Sequence, residues 1–170
     1  MNIIQKPAAK SNYTPSRAIY KPKAVVIHLM DGSLAGTDEW FANPASRVSA
    51  HYGIGTSGEI HQYVQEACTA YHAGAVHNPT WPALIKGINP NFYTIGIEHE
   101  GLAGATFTPE QLEASTDLVS MICYRWIIKP TDLTIIGHHE IYDGHNCPGP
   151  GWNKQQYIST VDNKFRSIPE

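Results

Sequence analysis

The segment from Ile135 to Pro148 constrains this chain most, because metal-binding side chains follow an apolar run directly. Ile135 and Ile136 are typical of a buried strand. Three histidines and a cysteine come soon after it: His138, His139, His145 and Cys147. Imidazole nitrogen and thiolate sulfur are donors that Zn²⁺ prefers, and a catalytic zinc takes three protein ligands and keeps one position for water. The segment therefore predicts part of a metal site, with at least one ligand supplied from elsewhere.

A second β-branched run, from Ala24 to Met30, carries His28. Two buried strands that each end in a histidine would place both side chains on rigid elements. Each signal alone is weak, since a single histidine at a strand end is more often structural. The spacing from His138 to Cys147 is not that of a zinc finger, and the helical H-E-x-x-H motif of metalloproteases is not used.

Five segments, in order, resemble the zinc-dependent N-acetylmuramoyl-L-alanine amidases of the type-2 amidase family, which includes T7 lysozyme and the peptidoglycan recognition proteins. They are VVIH at 25–28, RVSAHYGIGTSGEIHQYV at 47–64, AYHAG at 70–74, TIGIEHEG at 94–101 and IIGHHEIYDGHNCPG at 135–149. The resemblance covers residues 24–165. It implies a single α/β domain, a central mixed β-sheet flanked by α-helices, which hydrolyses the amide between N-acetylmuramic acid and L-alanine in bacterial peptidoglycan and so lyses the cell wall.

The same resemblance implies one Zn²⁺ per chain, bound by His28, His138 and Cys147. His138 is preferred to His139 because the family ligand directly follows the glycine of its G-H motif. A purely structural zinc site would want four protein ligands.

The resemblance also assigns two catalytic roles. Glu98 stands where one branch of the family holds the attacking water, and the tyrosine of the other branch is replaced by Ala50. The general base is therefore placed on Glu98. His145 stands where relatives carry lysine or histidine, and it would stabilise the tetrahedral oxyanion.

Three further residues are expected to contact substrate. His72 lies in Y-H-A-G, where the family usually has W-H-A-G, and by resemblance it lines the cleft. Trp81, in a long irregular segment, is a residue type suited to stacking on sugars. Tyr52 in the predicted hairpin is the third, and its neighbour His51 is a further near-site candidate. Residue type favours ordinary sheet packing for Tyr52, and a loop-ordering hydrogen bond is an open alternative for His72.

Local signals predict the other elements. Thr37 would cap a short helix ending near Asn43, and Ser57-Gly58 would turn a hairpin over residues 51–64. Thr94 to Glu100 reads as a strand. Thr108, with Gln111 closing a capping box, would begin a helix to about Ile128, and a closing helix is predicted from Lys154 to about Phe165.

Charge is unevenly distributed along the 170 residues, whose net charge is −3. Residues 1–24 hold five basic and no acidic residues, which leaves a net −8 in the rest of the chain. We interpret residues 1–23 as a basic N-terminal extension in an extended conformation that binds an anionic cell surface, and residues 24–170 as the amidase catalytic domain. An ordinary solvated tail is an equally good interpretation of the composition. The three cysteines show no disulfide framework, so free thiols are expected.

Other functions fit less well. A recognition-type binding module would lack the ligand Cys147, and a His-Asn-His nuclease, suggested by residues 145–146, would not suit the acidic body, so no nucleic-acid partner is expected. The sequence shows no signal peptide and no membrane-spanning run, so we expect the protein to be made in the cytoplasm. It would act on the wall after release, as phage or prophage endolysins do. We expect it to be a monomer. A cytosolic muropeptide-recycling amidase is the alternative setting.

Overall fold

The computed structural model describes residues 1–144 and 146–169. In it a six-stranded mixed sheet, a two-stranded sheet and three α-helices form one domain, which confirms the predicted α/β architecture. The elements in chain order are β1 (Ile3–Gln5), β2 (Tyr13–Thr14), β3 (Ala24–Leu29), α1 (Leu34–Ala42), β4 (Tyr52–Ile54), β5 (Ile60–Gln62), β6 (Thr69–Ala70), β7 (Thr94–His99), α2 (Pro109–Trp126), β8 (Ile135–Gly137) and α3 (Lys154–Arg166). Within the described residues, no helix has the length and apolar character needed to cross a membrane.

The order of the main sheet is β1-β5-β4-β7-β3-β8, and its centre is parallel. β3 lies between β7 and β8, with His28 opposite Glu98 and Ile27 opposite Gly137. The carboxyl ends of parallel strands meet at one edge of a sheet. His28, Glu98 and the residues after Gly137 are therefore brought together by register alone.

Side chains alternate between the two faces of this sheet. Val25, Ile27, Ile95 and Ile97 pack on one face against α2 and α3, in the largest apolar cluster. We call this the helix face. The opposite face, which we call the site face, is covered by α1 and by the segment 65–93, which includes β6, and it carries His28 and Glu98.

The first 23 residues are packed against this domain. β1 pairs with β5 in parallel, so the sheet begins before the strand at residue 24, which we had predicted to be its first. Arg17 is 4% exposed and donates to the carbonyls of residues 66, 91, 92 and 94, whereas the four lysines of this segment are exposed. One of the five positive charges in this segment, that of Arg17, is therefore buried in the fold and does not face solvent.

Most local predictions are confirmed, and two details are wrong. β4 and β5 form the predicted antiparallel hairpin, and α3 matches its predicted range. α1 begins at Leu34, because the side chain of Ser33, not that of Thr37, accepts from the first turn. Thr108 caps α2 as predicted, but the side chain of Gln111 donates to two distant carbonyls and closes no capping box.

Candidate metal centre and active site

Three potential metal ligands converge at the carboxyl edge of the sheet on the site face. His28 is the penultimate residue of β3, His138 follows β8 directly, and Cys147 comes from the loop after it. Their donor atoms all lie within 4.8 Å of one another. The loop is held by two backbone contacts: the N–H of Leu29 donates to Cys147 Sγ at 3.2 Å, and the N–H of His139 donates to the Cys147 carbonyl at 2.9 Å.

The imidazole contacts indicate which ring nitrogens carry a proton. His138 Nε2 lies 3.1 Å from the carbonyl of Ala73, and since a carbonyl only accepts, Nε2 carries the proton and Nδ1 has the lone pair. His28 Nδ1 lies 4.0 Å from Cys147 Sγ, while its Nε2 lies 3.0 Å from His72 Nδ1. His139, in contrast, is exposed, and its Nδ1 contacts the Cys147 carbonyl.

The donor set fits a zinc ion. Burial and, to a smaller extent, the nearby Glu98 carboxylate raise the pKa of the Cys147 thiol to about 12, against a smaller opposing effect of the Leu29 N–H. A thiolate at this place therefore needs a cation beside it. Two neutral imidazoles and one thiolate are a ligand set that Zn²⁺ takes in open sites with a fourth position for water.

Glu98 is the carboxylate of the site. Its Oε1 lies 3.9 Å from His28 Nδ1, and its Oε2 is buried without a hydrogen-bond partner in the described part of the chain. Burial raises the pKa of Glu98 to about 7. A buried acceptor without a donor is costly, so this oxygen is suited to receive a proton or a water molecule that arrives with substrate.

An open cavity of about 590 Å³ lies above these groups. α1 forms one wall with Thr37, Trp40 and Phe41, and the segment of Asn146 and Cys147 forms another. The cavity floor contains His28, His72, Glu98 and His138. The structure thus places the predicted base, the three predicted ligands and one predicted substrate residue around a single space.

Two of the predicted substrate residues lie elsewhere. Tyr52 is 3% exposed on the helix face, where its hydroxyl donates to Glu66 Oε1 at 2.7 Å. Trp81 is 4% exposed, stacks on Tyr93 and donates from Nε1 to the carbonyl of Leu133. Neither lines the cavity. His51 is fully buried behind it, and its Nδ1 accepts from the N–H of Gly96.

The remaining predicted residues are His145, which lies outside the described residues, and His72, which is only 8% exposed. Trp40, which no sequence pattern indicated, is 53% exposed and lines the cavity from α1. Its neighbour Phe41 is 5% exposed. Successive residues of a helix point about 100° apart, so an adjacent aromatic pair in a short helix could have indicated that one ring faces outward.

Comparisons with known proteins agree with this geometry. A family model described as N-acetylmuramoyl-L-alanine amidase matches residues 18–150. The chain is 42% identical over 167 residues to N-acetylmuramoyl-L-alanine amidase A of Achromobacter lyticus, covering 87% of this chain and 85% of that protein. It is 33% identical over 117 residues to 1,6-anhydro-N-acetylmuramyl-L-alanine amidase AmpD of Haemophilus influenzae, covering 68% of this chain and 59% of that protein.

Solved structures show the same fold. A crystal structure of an AmpD derivative superposes with a TM-score of 0.75 at 25% identity, covering 94% of both chains. The structure of PlyL superposes with a TM-score of 0.73 at 18% identity, covering 96% of this chain and 99% of that one. The sheet, its flanking helices and their order are therefore shared with these proteins.

Proposed function

The chain belongs to the N-acetylmuramoyl-L-alanine amidase family, and from this premise we propose how its residues hydrolyse the amide between N-acetylmuramic acid and L-alanine in bacterial peptidoglycan. His28, His138 and Cys147 would hold one zinc ion, and Glu98 would act as the general base. One observation supports this most: three metal-binding atoms within 4.8 Å of one another adjoin a buried carboxylate oxygen without a donor, at the floor of an open cavity.

Zinc, when bound, supplies a Lewis acid that polarises the lactyl carbonyl and lowers the pKa of water. Glu98 then accepts a proton from the water that attacks the carbonyl carbon. As the C–N bond breaks, Glu98 returns that proton to the nitrogen of L-alanine, which leaves as an amine. The lactyl group becomes a carboxylic acid, and its proton passes to the released amine, which leaves a carboxylate and an ammonium group. The raised pKa of Glu98, about 7, suits a group that must both take and give a proton near neutral pH.

The oxyanion that forms during attack needs a donor. We propose that His145 is this donor, because it lies two residues before Cys147 in the sequence, where relatives carry lysine or histidine. A positioned donor at such a place contributes several kcal/mol to transition-state stabilisation in other hydrolases, on the order of 3.

Trp40 is better placed than Trp81 to contact the glycan. Its ring is half exposed and faces the cavity that also holds Glu98. An indole face provides a flat apolar surface for a sugar ring. We therefore assign the sugar-stacking role, which the sequence suggested for Trp81, to Trp40.

The test measures lysis and bond specificity together. Purified peptidoglycan should clear on addition of the zinc-loaded protein, and mass spectrometry should find stem peptides with a free L-alanine amino terminus. Glu98→Gln should lower the rate by ~10² to ~10⁴ while zinc content and melting temperature stay at the parental level. Glu113→Gln, an exposed carboxylate on α2, is the matched control and should change neither.

Two results would count against the proposal. Near-parental lysis by Glu98→Gln would remove Glu98 as the base. Clearing of the wall without new L-alanine amino termini would place the cleaved bond elsewhere in peptidoglycan.

The physiological substrate separates two settings. One relative is named for 1,6-anhydro muropeptides, whereas our preferred setting is lysis of intact wall. Rates on polymeric peptidoglycan and on soluble anhydro-muropeptide, compared at equal bond concentration, distinguish the two. A single chain holds the whole proposed centre, which is consistent with an active monomer.

The exposed lysines of the first 23 residues remain our proposed contact with anionic wall polymers. Lys6 pairs with Asp38 at 3.4 Å, which leaves Lys10, Lys21 and Lys23 for this role. Replacing these three by glutamine keeps β1 and Arg17, which deletion of the segment would remove. The triple variant should sediment less with cells at low salt and cleave soluble muropeptides normally, because exposed charge contacts are screened by salt. Unchanged sedimentation would make the segment a packing element only.

A further inference from the structure

A chain of hydrogen bonds runs from a backbone carbonyl to the candidate ligand His28. Thr94 Oγ1 donates to the carbonyl of Pro90 at 2.8 Å, and His72 Nε2 lies 3.2 Å from Thr94 Oγ1. On the other side of its ring, His72 Nδ1 lies 3.0 Å from His28 Nε2. Residues 28, 72 and 94 are distant in the sequence and meet only in the fold.

The direction of this chain follows from which groups can donate. A carbonyl only accepts, so the single hydroxyl proton of Thr94 goes to Pro90, and Thr94 Oγ1 accepts from His72 Nε2–H. A neutral imidazole carries one N–H, so His72 Nδ1 must be an acceptor. It then accepts from His28 Nε2–H. His28 Nδ1 is left with its lone pair, and this is the nitrogen nearest Cys147 Sγ and Glu98.

The reverse order would disable the site. If Thr94 donated to His72 Nε2, then His72 Nδ1–H would donate to His28 Nε2, and His28 Nδ1 would carry the proton. The shorter distance, 2.8 Å from Thr94 Oγ1 to the carbonyl against 3.2 Å to the imidazole, favours the order in which His28 Nδ1 carries no proton.

The members of the chain are held firmly in place. Thr94 is fully buried, and Asn91 Oδ1 accepts from the backbone N–H groups of both His72 and Ala73. Gly96 leaves the space for the ring, because a Cβ there would lie 2.3 Å from His72 Cγ. The His72 ring therefore lies directly on β7.

We propose that the hydrogen-bond chain from Pro90 through Thr94 and His72 selects the tautomer of His28 that binds metal. His72 and Thr94 are then positioning residues for the metal centre, and His72 acts through His28, not by holding substrate. The inference rests on the proposed role of His28 as a ligand. Metal-binding histidines commonly donate their second N–H to a carboxylate or carbonyl, and here a second imidazole relays that function.

Thr94→Val is the smallest substitution that interrupts the hydrogen-bond chain. Valine keeps the β-branched shape in the strand and removes the hydroxyl that accepts from His72, and Thr94→Ser is the matched control that keeps it. The zinc affinity of the full-length protein is measured by competition with a chromogenic chelator. We expect Thr94→Val to bind zinc ~10- to 100-fold more weakly and Thr94→Ser to stay within ~3-fold of the parent.

Imidazole ¹⁵N NMR of the metal-free protein reads the tautomers directly. The parent should show His28 protonated at Nε2 and His72 at Nε2, and Thr94→Val should show both tautomers of His72. Parental affinity and parental tautomers in Thr94→Val would overturn the proposal, as would equal weakening by valine and serine.

If Thr94→Val does not fold, the parent spectrum decides alone, since a proton on His28 Nδ1 would overturn the proposal. Failure of the proposed function appears separately. The parent would then bind zinc with the expected tautomer yet release no peptides with a free L-alanine terminus.

Discussion

The two faces of the central sheet are built from the same strands but differ in role: the helix face packs against α2 and α3, and the site face carries the candidate metal centre. On β7, Ile95 and Ile97 point to the helix face, while Thr94, Gly96 and Glu98 point to the site face. On β3, Ile27 and His28 divide in the same way. A period of two therefore lets one strand contribute to the apolar core and to the metal centre at adjacent positions.

Burial has different consequences on the two faces. Burial of aliphatic side chains between the sheet, α2 and α3 stabilises the fold by about 25 cal/mol per Å² of apolar surface. The site face has an apolar cluster of its own, which includes Val26, Tyr93 and Ile136, but burial there also disfavours charge. It raises the pKa of Glu98 to about 7 and lowers that of His72 to about 3. The site face therefore combines apolar packing with directed hydrogen bonds around its polar side chains.

The largest effect on the site face is expected from Cys147→Ser. A hydroxyl is a far poorer zinc ligand than a thiolate, so zinc affinity and amidase rate should fall by more than the ~10- to 100-fold typical of losing a supporting contact. Elemental analysis and peptide release measure both. Cys68→Ser, a half-buried cysteine away from the centre, should leave zinc content unchanged. Equal zinc in the Cys147 variant and the parent would contradict the ligand assignment.

A pair of neighbouring substitutions tests the division between faces directly. Ile95→Ala should lower the free energy of unfolding by roughly 2–5 kcal/mol and leave zinc affinity unchanged in the folded fraction, because it empties space only on the helix face. Gly96→Ala places a Cβ 2.3 Å from the ring of His72, so it should weaken zinc binding. Urea unfolding measures the free energy of unfolding, and chelator competition measures the zinc affinity. If both variants lost zinc affinity alike, the faces would not be separable.

Acid should weaken the fold through a buried histidine on each face. His99, stacked on Phe107, has its pKa lowered to about 4 by burial, and His51 has its pKa lowered well below its usual value by burial and then by Arg17. The unfolded chain binds these protons at about pH 6.5, so stability is complete above that pH and falls as the pH drops toward 4.

Each of these two histidines should cost about 1.4 kcal/mol at pH 5.5 relative to neutral pH. Urea unfolding of the zinc-free protein between pH 7.5 and 5 measures the slope. A free energy of unfolding that stays constant across this range would mean that these imidazoles are charged or solvated in the fold.

The smallest effect is expected at the rim of the cavity. Trp40→Ala removes an exposed ring without touching the metal ligands, so KM for polymeric peptidoglycan should rise ~3- to 10-fold with little change in kcat. Tyr124→Ala, an exposed aromatic of α2 that does not line the cavity, is the matched control and should change neither constant. A fall in kcat with unchanged KM would argue against a binding role.

Elements whose signals are local could be predicted from the amino-acid sequence. The apolar runs that become β3, β7 and β8, the Thr108 cap of α2 and the hairpin all follow from side-chain period, capping and turn chemistry, and the motif order identified the family. Donor types pointed to His28 and to the segment from His138 to Cys147, and the family resemblance selected His28, His138 and Cys147, which the fold then brings together. The roles of these residues remain predictions.

The positions of residues in irregular segments depend on long-range packing and could not be predicted in this way. Trp81 is buried, Trp40 faces the cavity, and Arg17 is hydrogen-bonded inside a segment whose composition suggested a free arm. These outcomes depend on contacts between distant parts of the chain, which no local period encodes. The same holds for His72: its contacts with His28 and Thr94 arise because a glycine on β7 leaves room for the ring, a fact of packing that residue identity alone does not reveal.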